Sequence, residues 1–535
     1  MKRIKKLASL LLAMVMVFNM GLMVFAAGET DLPSKPNNKD ASLEGHTFKA
    51  YQIFTGTQDA DSEKLFNIQW GDGVNASNFL SALQTSGDFG DSNPFAGIKY
   101  EKNAPQKSAD AVARVISDTT KWSNDSDSAR AFARIADQNK AGAGAIPGDT
   151  LEAGYYLVVD ETVFDTDATE TVKNLSILQM TIAHPFTPQN KTDVPELEKK
   201  VKEKNDSTED PDTWGDVADY DINDDVEFVL TGTLPSDYDS YVRYKYVFHD
   251  TLSNGLSLNE SSIIVKIDGS EVSESGYDYE KTGQSFTIKF ADLKTNKAAK
   301  TGSVITVEYS AKLTGDAVVI GGNGNDNTAH LEYSNNPNDN GTGEPETGNT
   351  PEDKVVVFTY KLLANKKDEA GNALAGAGFT LYKYNAESTA DDKYEPVGSE
   401  VKGVTEFEFK GIDAGLYKLV ETTVPSGYNK ADDMYFEVKA TPDGTTTPPS
   451  VSSLAIEKVT DKDGNKITDS KGTEVFTFTG SALDGSLTTD IVNKAGILLP
   501  STGGIGTTIF YVVGGILVIG AGILLVAKKR MGANK

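Results

Sequence analysis

A chain of 535 residues is longer than a single hydrophobic core usually organises, so several domains are expected. The formal net charge of −27 argues against a surface built for nucleic acid or anionic lipid and suits solubility among other polyanions. There is no cysteine, which excludes disulfides and raises the question of what else protects an extracellular chain from proteases and load.

At the amino terminus Lys2, Arg3, Lys5 and Lys6 precede an apolar run from Leu7 to Phe25, closed by the small residues Ala26, Ala27 and Gly28. This is the pattern of a secretory signal peptide, residues 1–27, cleaved near Ala26 or Ala27. Beyond it, short Val/Ile/Phe/Tyr/Thr runs alternate with Gly, Asn, Asp and Pro turns, so the chain is expected to be all-β, a row of immunoglobulin-like β-sandwiches. The first domain, 29–190, carries some helix, because Ala109–Ser117 and Ser128–Gln138 place Ala, Val and Ile at helical spacing. The prolines of Thr187–Pro195 close that domain, since they remove ladder donors and favour extended backbone.

A middle domain, 191–353, contains the predicted strands Ser262–Asp268, Ser285–Phe290 and Val304–Leu313 and ends in the polar stretch Asn335 to Asp353. A third domain covers 354–495. Its Ile412–Val420 segment repeats the local pattern of Leu151–Val158 in the first domain, an apolar residue, a turn glycine and an alternating strand, which favours duplicated modules. Leu499, Pro500, Ser501, Thr502 and Gly503 follow, then a span without charge over residues 505–527 and a basic tail, 528–535. The span is long enough to cross a bilayer, and Lys528, Lys529 and Arg530 hold the tail in the cytoplasm with everything before it outside.

His46, His184, His249 and His330 are not at ligand spacing in the sequence, so neither a zinc site nor a histidine-based hydrolase is expected. Asp461-Lys462-Asp463-Gly464-Asn465 has its glycine too early for a calcium loop and reads as a hairpin turn. No phosphate-cradling loop occurs. No metal, cofactor or turnover enzyme is expected.

Leu-Pro-x-Thr-Gly, an apolar span and a basic tail in this order resemble the sorting signal read by sortase transpeptidases. That resemblance implies cleavage between Thr502 and Gly503, with the Thr502 carbonyl passing to the sortase as a thioester. The whole mature chain resembles the backbone subunits of sortase-assembled pili. The implied partners are sortase, neighbouring copies joined through a Thr502–lysine linkage, ancillary pilins, peptidoglycan, and host or matrix ligands. The acceptor lysine of such subunits lies at the end of the first domain. Here Lys191 occupies that place, with Lys173 and Lys202 as alternatives, although the family's Tyr-Pro-Lys-Asn motif is not reproduced.

Residues 362–382, the segment Leu419–Tyr428 and the run Asp490–Asn493 resemble the first hairpin, E-box and last strand of Cna B-type modules. The resemblance implies an intramolecular isopeptide bond between Lys366 and Asn493, assisted by Glu421. Strand parity agrees: Leu362, Ala364 and Lys366 share a face, as do Tyr417, Leu419 and Glu421, and Ile491 lies with Asn493. The same reasoning in the middle domain selects Lys199, with Asp250 as the acid and Asn327 as its partner, and turns Lys200 outward. In the first domain Lys49, Asp160 and Glu161 lack an asparagine partner, so no bond is expected there.

Burial explains these residue types. It lowers a lysine pKa and raises that of a carboxyl, which leaves a neutral amine able to attack the asparagine carbonyl while the acid polarises it and ammonia leaves. The expected function is the structural shaft subunit of a covalent, wall-anchored pilus that supports adhesion. The alternative is a monomeric wall-anchored adhesin.

Overall fold

The computed structural model describes residues 42–58, 64–118, 120–123, 126–181, 184–186, 188–208, 211–468, 476–496 and 505–531. The signal peptide and the Leu499–Gly503 motif lie outside them.

The first region is built on a four-stranded antiparallel sheet in the order Leu65–Trp70, Phe48–Gln58, Gly154–Asp160, Ile177–Thr181. Three helices, Ala76–Thr85, Pro105–Ile116 and Asp127–Gln138, lie between its strands in sequence and pack Phe79, Leu83, Val112, Phe132 and Ala136 against Ile53, Phe54 and Leu157. Their starts follow from local chemistry. The Asn75 and Ser126 side chains accept the Asn78 and Ala129 backbone N–H groups, and Pro105 opens its helix where its missing N–H costs nothing. The helix expected from Ala109 therefore begins a turn earlier. The first helix was not anticipated, because its only strong signal is the Asn75 cap.

The middle region is a sandwich of two sheets. One has six strands in the order Ser270–Glu271, Leu256–Ile267, Val304–Leu313, Asp225–Thr233, Leu197–Glu203, Thr213–Gly215. The other runs Asp278–Thr282, Ser285–Phe290, Tyr246–Leu252, Asn325–Ser334, Asp353–Phe358, Val217–Asp219, with Thr347–Asn349 also paired to Asn325–Ser334. Alternating residues from both inner faces fill the core, among them Val201, Phe228, Leu230, Phe248, Ile288, Val307 and Leu331. Val172 joins this core from the segment between Gly154–Asp160 and Ile177–Thr181, where Tyr333 Oη donates to the Thr171 carbonyl at 3.1 Å.

Asp353–Phe358 reads DKVVVF, and both of its faces are covered. Val355 and Val357 face the middle core, whereas Val356 and Phe358 pack into the next one. A short continuous apolar run is what a strand buried on two sides requires. The chain then enters a second sandwich at Tyr360. A four-stranded sheet, in the order Glu406–Ile412, Tyr360–Asp368, Ser486–Asn493, Phe478–Ser481, faces a sheet in the order Tyr394–Pro396, Gly378–Tyr384, Gly415–Thr423, Met434–Asp443, Ser450–Thr460, with Val401–Lys402 also paired to Gly378–Tyr384. Its first and last strands, Tyr360–Asp368 and Ser486–Asn493, are parallel neighbours. The helix Ile505–Met531 closes the described chain, and its stretch Ile509–Met531 contains an 18-residue window with a mean hydropathy of 2.7, none of it buried.

Candidate cross-linking sites

In the strand Leu197–Glu203, Lys199 and Val201 enter the sandwich, while Lys200 turns outward to Asp216 at 2.8 Å and Glu198 at 3.1 Å. Tyr246–Leu252 and Asn325–Ser334 are neighbours in the facing sheet, with Asp250 opposite Ala329 and Leu252 opposite Asn327. Lys199 thus reaches across the interior toward Asp250 and Asn327, and none of the three is more than 1% exposed.

The Lys199 ammonium donates to Asp250 Oδ2 and, at 2.7 Å, to Tyr309 Oη. The Tyr309 hydroxyl donates to Asp250 Oδ2 at 2.7 Å and accepts from Asn327 Nδ2 at 2.9 Å. Desolvation lowers the Lys199 pKa and raises that of Asp250, and each group's charge only partly offsets the shift of the other. Two buried acceptors, Asp250 Oδ1 and Asn327 Oδ1, have no donor among the described residues. Moving a proton from the amine to the carboxyl removes the charge from these underbonded oxygens, which favours the neutral amine and acid pair.

The C-terminal sandwich repeats the chemistry with a different placement. Lys366 and Asn493 lie in adjacent parallel strands, and Glu421 approaches from the facing sheet. The Lys366 ammonium donates to Asn493 Oδ1 and lies 3.5 Å from Glu421 Oε1. Asn493 Nδ2 donates to the same Glu421 oxygen at 2.8 Å, and the backbone N–H of Ala431 holds the other at 2.7 Å. Lys366, Glu421 and Asn493 are at most 2% exposed, and burial pulls the Lys366 pKa down.

Among the described residues, the first domain shows no such set. Lys49 pairs with Glu161 at 3.0 Å, which also holds Lys140 and the Tyr51 hydroxyl. Asp160 faces His46 Nδ1 at 2.7 Å and the Asn174 backbone N–H at 2.8 Å. Asn174 is buried, but its Oδ1 accepts the Lys191 backbone N–H at 2.7 Å.

Lys191 lines a cavity of about 220 Å³ together with Trp122, Arg130, Tyr155, Leu178 and Gln189. Lys173 is tied to Glu346 at 2.7 Å, and Lys202 to Asp212 and Glu227 at 3.2 and 3.4 Å.

Other clusters were hidden by distance in the sequence. His249 and His330 are directly opposed across two strands with rings stacked 4.6 Å apart, face to face rather than converging on a point. Asp206, Asp221 and Asp224 gather closely enough to suit a cation, and the Lys383 ammonium sits against them, 3.1 Å from Asp206 and 2.8 Å from both Asp221 and Asp413. Asp461 accepts the backbone N–H groups of Asp463 and Asn465 inside its own turn, beside the Thr460–Lys466 bridge.

Three family descriptions match parts of the chain. Residues 215–337 match the Gram-positive pilin backbone subunit 2, Cna-B-like domain; residues 360–449 match the SpaA prealbumin-like fold domain; residues 491–531 match the LPXTG cell wall anchor motif. Among curated proteins, the trypsin-resistant surface T6 protein of Streptococcus pyogenes serotype M6 is 26% identical over 57% of this chain and 64% of its own length. Fimbrial subunit type 2 of Actinomyces naeslundii is 27% identical over 57% of this chain and 63% of its own. The chain therefore covers slightly less than two thirds of these relatives. Among solved structures, the T6 backbone pilin superposes with a TM-score of 0.48 at 18% identity, covering 87% of this chain and 100% of that one. The major pilin SpaD from Corynebacterium diphtheriae gives 0.41 at 16%, covering 86% and 94%.

Proposed function

Since this chain is a Gram-positive pilin backbone subunit with a Cna-B-like domain and an LPXTG cell-wall anchor, we propose that it forms the repeating shaft of a covalent surface pilus. In this reading sortase cleaves after Thr502 and transfers its carbonyl to Lys191 of the next copy, and a terminal transfer fixes the fibre to peptidoglycan. The cavity beside Lys191 supports the choice of acceptor, because an incoming peptide has somewhere to lie. Ancillary pilins and host or matrix ligands then engage the assembled fibre. The domain division 29–190, 191–353 and 354–495 is part of this proposal, with the strand Asp353–Phe358 at the last boundary serving both cores.

Each of the two sandwiches closes on an isopeptide bond, Lys199–Asn327 with Asp250 assisting and Lys366–Asn493 with Glu421 assisting. The observation that carries this reading is the C-terminal set, in which a buried amine, the amide it would attack and the acid beside the leaving nitrogen are already in contact. Burial leaves the amine able to act as a nucleophile, and the reaction runs once, within its own chain. A bond between residues 127 apart in the chain contributes about 5 kcal/mol by the chain-entropy estimate used for disulfides. That answers how a chain without cysteine holds together under load.

Boiling wall extracts in denaturant and blotting for this protein tests the polymer. A ladder of high-mass species is expected, and a single band at monomer mass refutes the shaft. Intact mass tests the internal bonds: the loss of one ammonia per sandwich is expected, and an unshifted mass refutes both.

A further inference from the structure

The two cross-linking sites differ in what touches the leaving nitrogen. In the C-terminal site Asn493 Nδ2 donates directly to the assisting carboxylate, Glu421. In the middle site Asn327 Nδ2 meets the Tyr309 hydroxyl, and that hydroxyl also contacts the attacking nitrogen and the acid. We infer that Tyr309 is a catalytic residue of the middle-domain cross-link, relaying a proton from the Lys199 amine to the departing Asn327 nitrogen. The inference rests on the proposed Lys199–Asn327 bond and adds a participant to it.

The Lys199 ammonium gives one proton to Asp250 Oδ2, leaving an amine and a carboxylic acid. The amine lone pair forms the bond to Asn327 Cγ, and the carbonyl π pair moves to Oδ1. Asp250 Oδ2, now protonated, no longer needs the Tyr309 proton, and Nδ2, no longer conjugated, has a lone pair to receive it. Tyr309 passes its hydroxyl proton to Nδ2 and takes one from the newly bonded Lys199 nitrogen. The Cγ–Nδ2 bond breaks with its pair on nitrogen and ammonia leaves. The carbonyl re-forms, Tyr309 is returned unchanged, and the carboxyl keeps the proton it took from the ammonium.

The fold prepares Tyr309 for this task. It projects inward from Val304–Leu313 on the same face as Val307 and Ala311, and its ring stacks on Phe228 with centroids 5.4 Å apart and meets Phe286 edge-on at 5.1 Å. The ring is thus located by apolar contacts that do not involve the oxygen. The hydroxyl is fully used by one donated and two accepted hydrogen bonds, all to members of the reacting set. Burial raises its pKa well above the ordinary phenol value, so the group carries a proton through and does not act as a standing base.

The test is Tyr309→Phe in the full chain, which removes the oxygen and keeps the ring contacts. Protein made in a short synthesis pulse is quenched at intervals, and the two cross-linked peptides are followed separately by mass spectrometry. Formation of the Lys199–Asn327 peptide is expected to slow by about 100-fold or more, the range for a lost proton-transfer group. The Lys366–Asn493 peptide, forming at its normal rate in the same molecules, shows that the chain folds. A middle bond formed within twofold of the wild-type rate overturns the role of Tyr309 and leaves the bond itself standing. A wild-type chain that never forms the middle peptide overturns both. Should Tyr309→Phe lose both bonds, fluorotyrosine at position 309 retains the shape while making the phenol more acidic. A several-fold change confined to the middle bond is then expected, and equal rates overturn the relay.

Discussion

Replacing Lys383 by methionine removes the ammonium that sits against Asp206, Asp221 and Asp413 where the two sandwiches meet. Burial alone would push the Lys383 pKa down, but the charges of Asp413, Asp221 and Asp206 more than reverse this and hold it above its ordinary value. The Lys383 side chain is only 7% exposed and Asp413 1%, while Asp206 and Asp221 keep 32% and 19%, so solvent screens the cluster only on one side. Taking one partner from a buried ionic network typically costs ~3–5 kcal/mol, because the remaining charges stay buried and unpaired. The loss falls on the junction, since Asp206 and Asp221 belong to the middle sandwich and Lys383 and Asp413 to the C-terminal one. The Ser207 hydroxyl, which donates to the Tyr384 carbonyl at 2.9 Å and accepts the Leu416 N–H at 3.0 Å, loosens with it. Calorimetry of Lys383→Met should show a transition lowered on the order of 10 °C at pH 8. The deficit should shrink at pH 5, as the abandoned carboxylates take up protons. A variant within about 1 kcal/mol of wild type, or one equally damaged at both pH values, refutes the electrostatic account of the junction.

Asn493→Ala should lose no ammonia in the C-terminal sandwich and be about 5 kcal/mol less stable than wild type, as read by intact mass and urea unfolding. Lys191→Arg should collapse the pilus ladder to monomer, and a persisting ladder moves the acceptor elsewhere. Burial and the neighbouring Asp219 charge raise Glu203 from 4.5 to about 8, so the folded chain holds a proton that the unfolded chain releases. That contribution is complete below pH 4.5 and gone above about pH 8, so stability should fall as pH rises through this window. Glu203→Gln should flatten the slope in a calorimetric pH series, and an unchanged slope places its origin in another group.

Sidedness along single strands was the most legible property of the sequence. Alternation alone turns Lys199 inward and Lys200 outward, and it aligns Lys366 with Leu362 and Ala364, because a strand has a strict period of two. The strands Ser285–Phe290 and Val304–Leu313 are bounded where their turn residues place them. Partnership across sheets was far less legible. Tyr309 reads as one more core aromatic until Lys199 arrives from two strands away in its own sheet and Asp250 from the facing one. His249 and His330 are distant in sequence and become neighbours only through the register of two antiparallel strands. Lys383 follows Phe379 and Leu381 at inward parity, yet two of its three carboxylate partners belong to the other sandwich. Asp353–Phe358 follows a polar stretch that reads as a domain boundary, although the strand itself completes the middle sheet.

That strand also decides how the molecule can be divided. A fragment ending before Asp353 leaves Asn325–Ala329 with an open edge beside Asn327, and a fragment beginning after Phe358 deprives the C-terminal core of Val356 and Phe358. Neither sandwich is therefore a module that can be excised cleanly or exchanged with another chain. The pair is the smallest unit that evolution, or an engineer, can move.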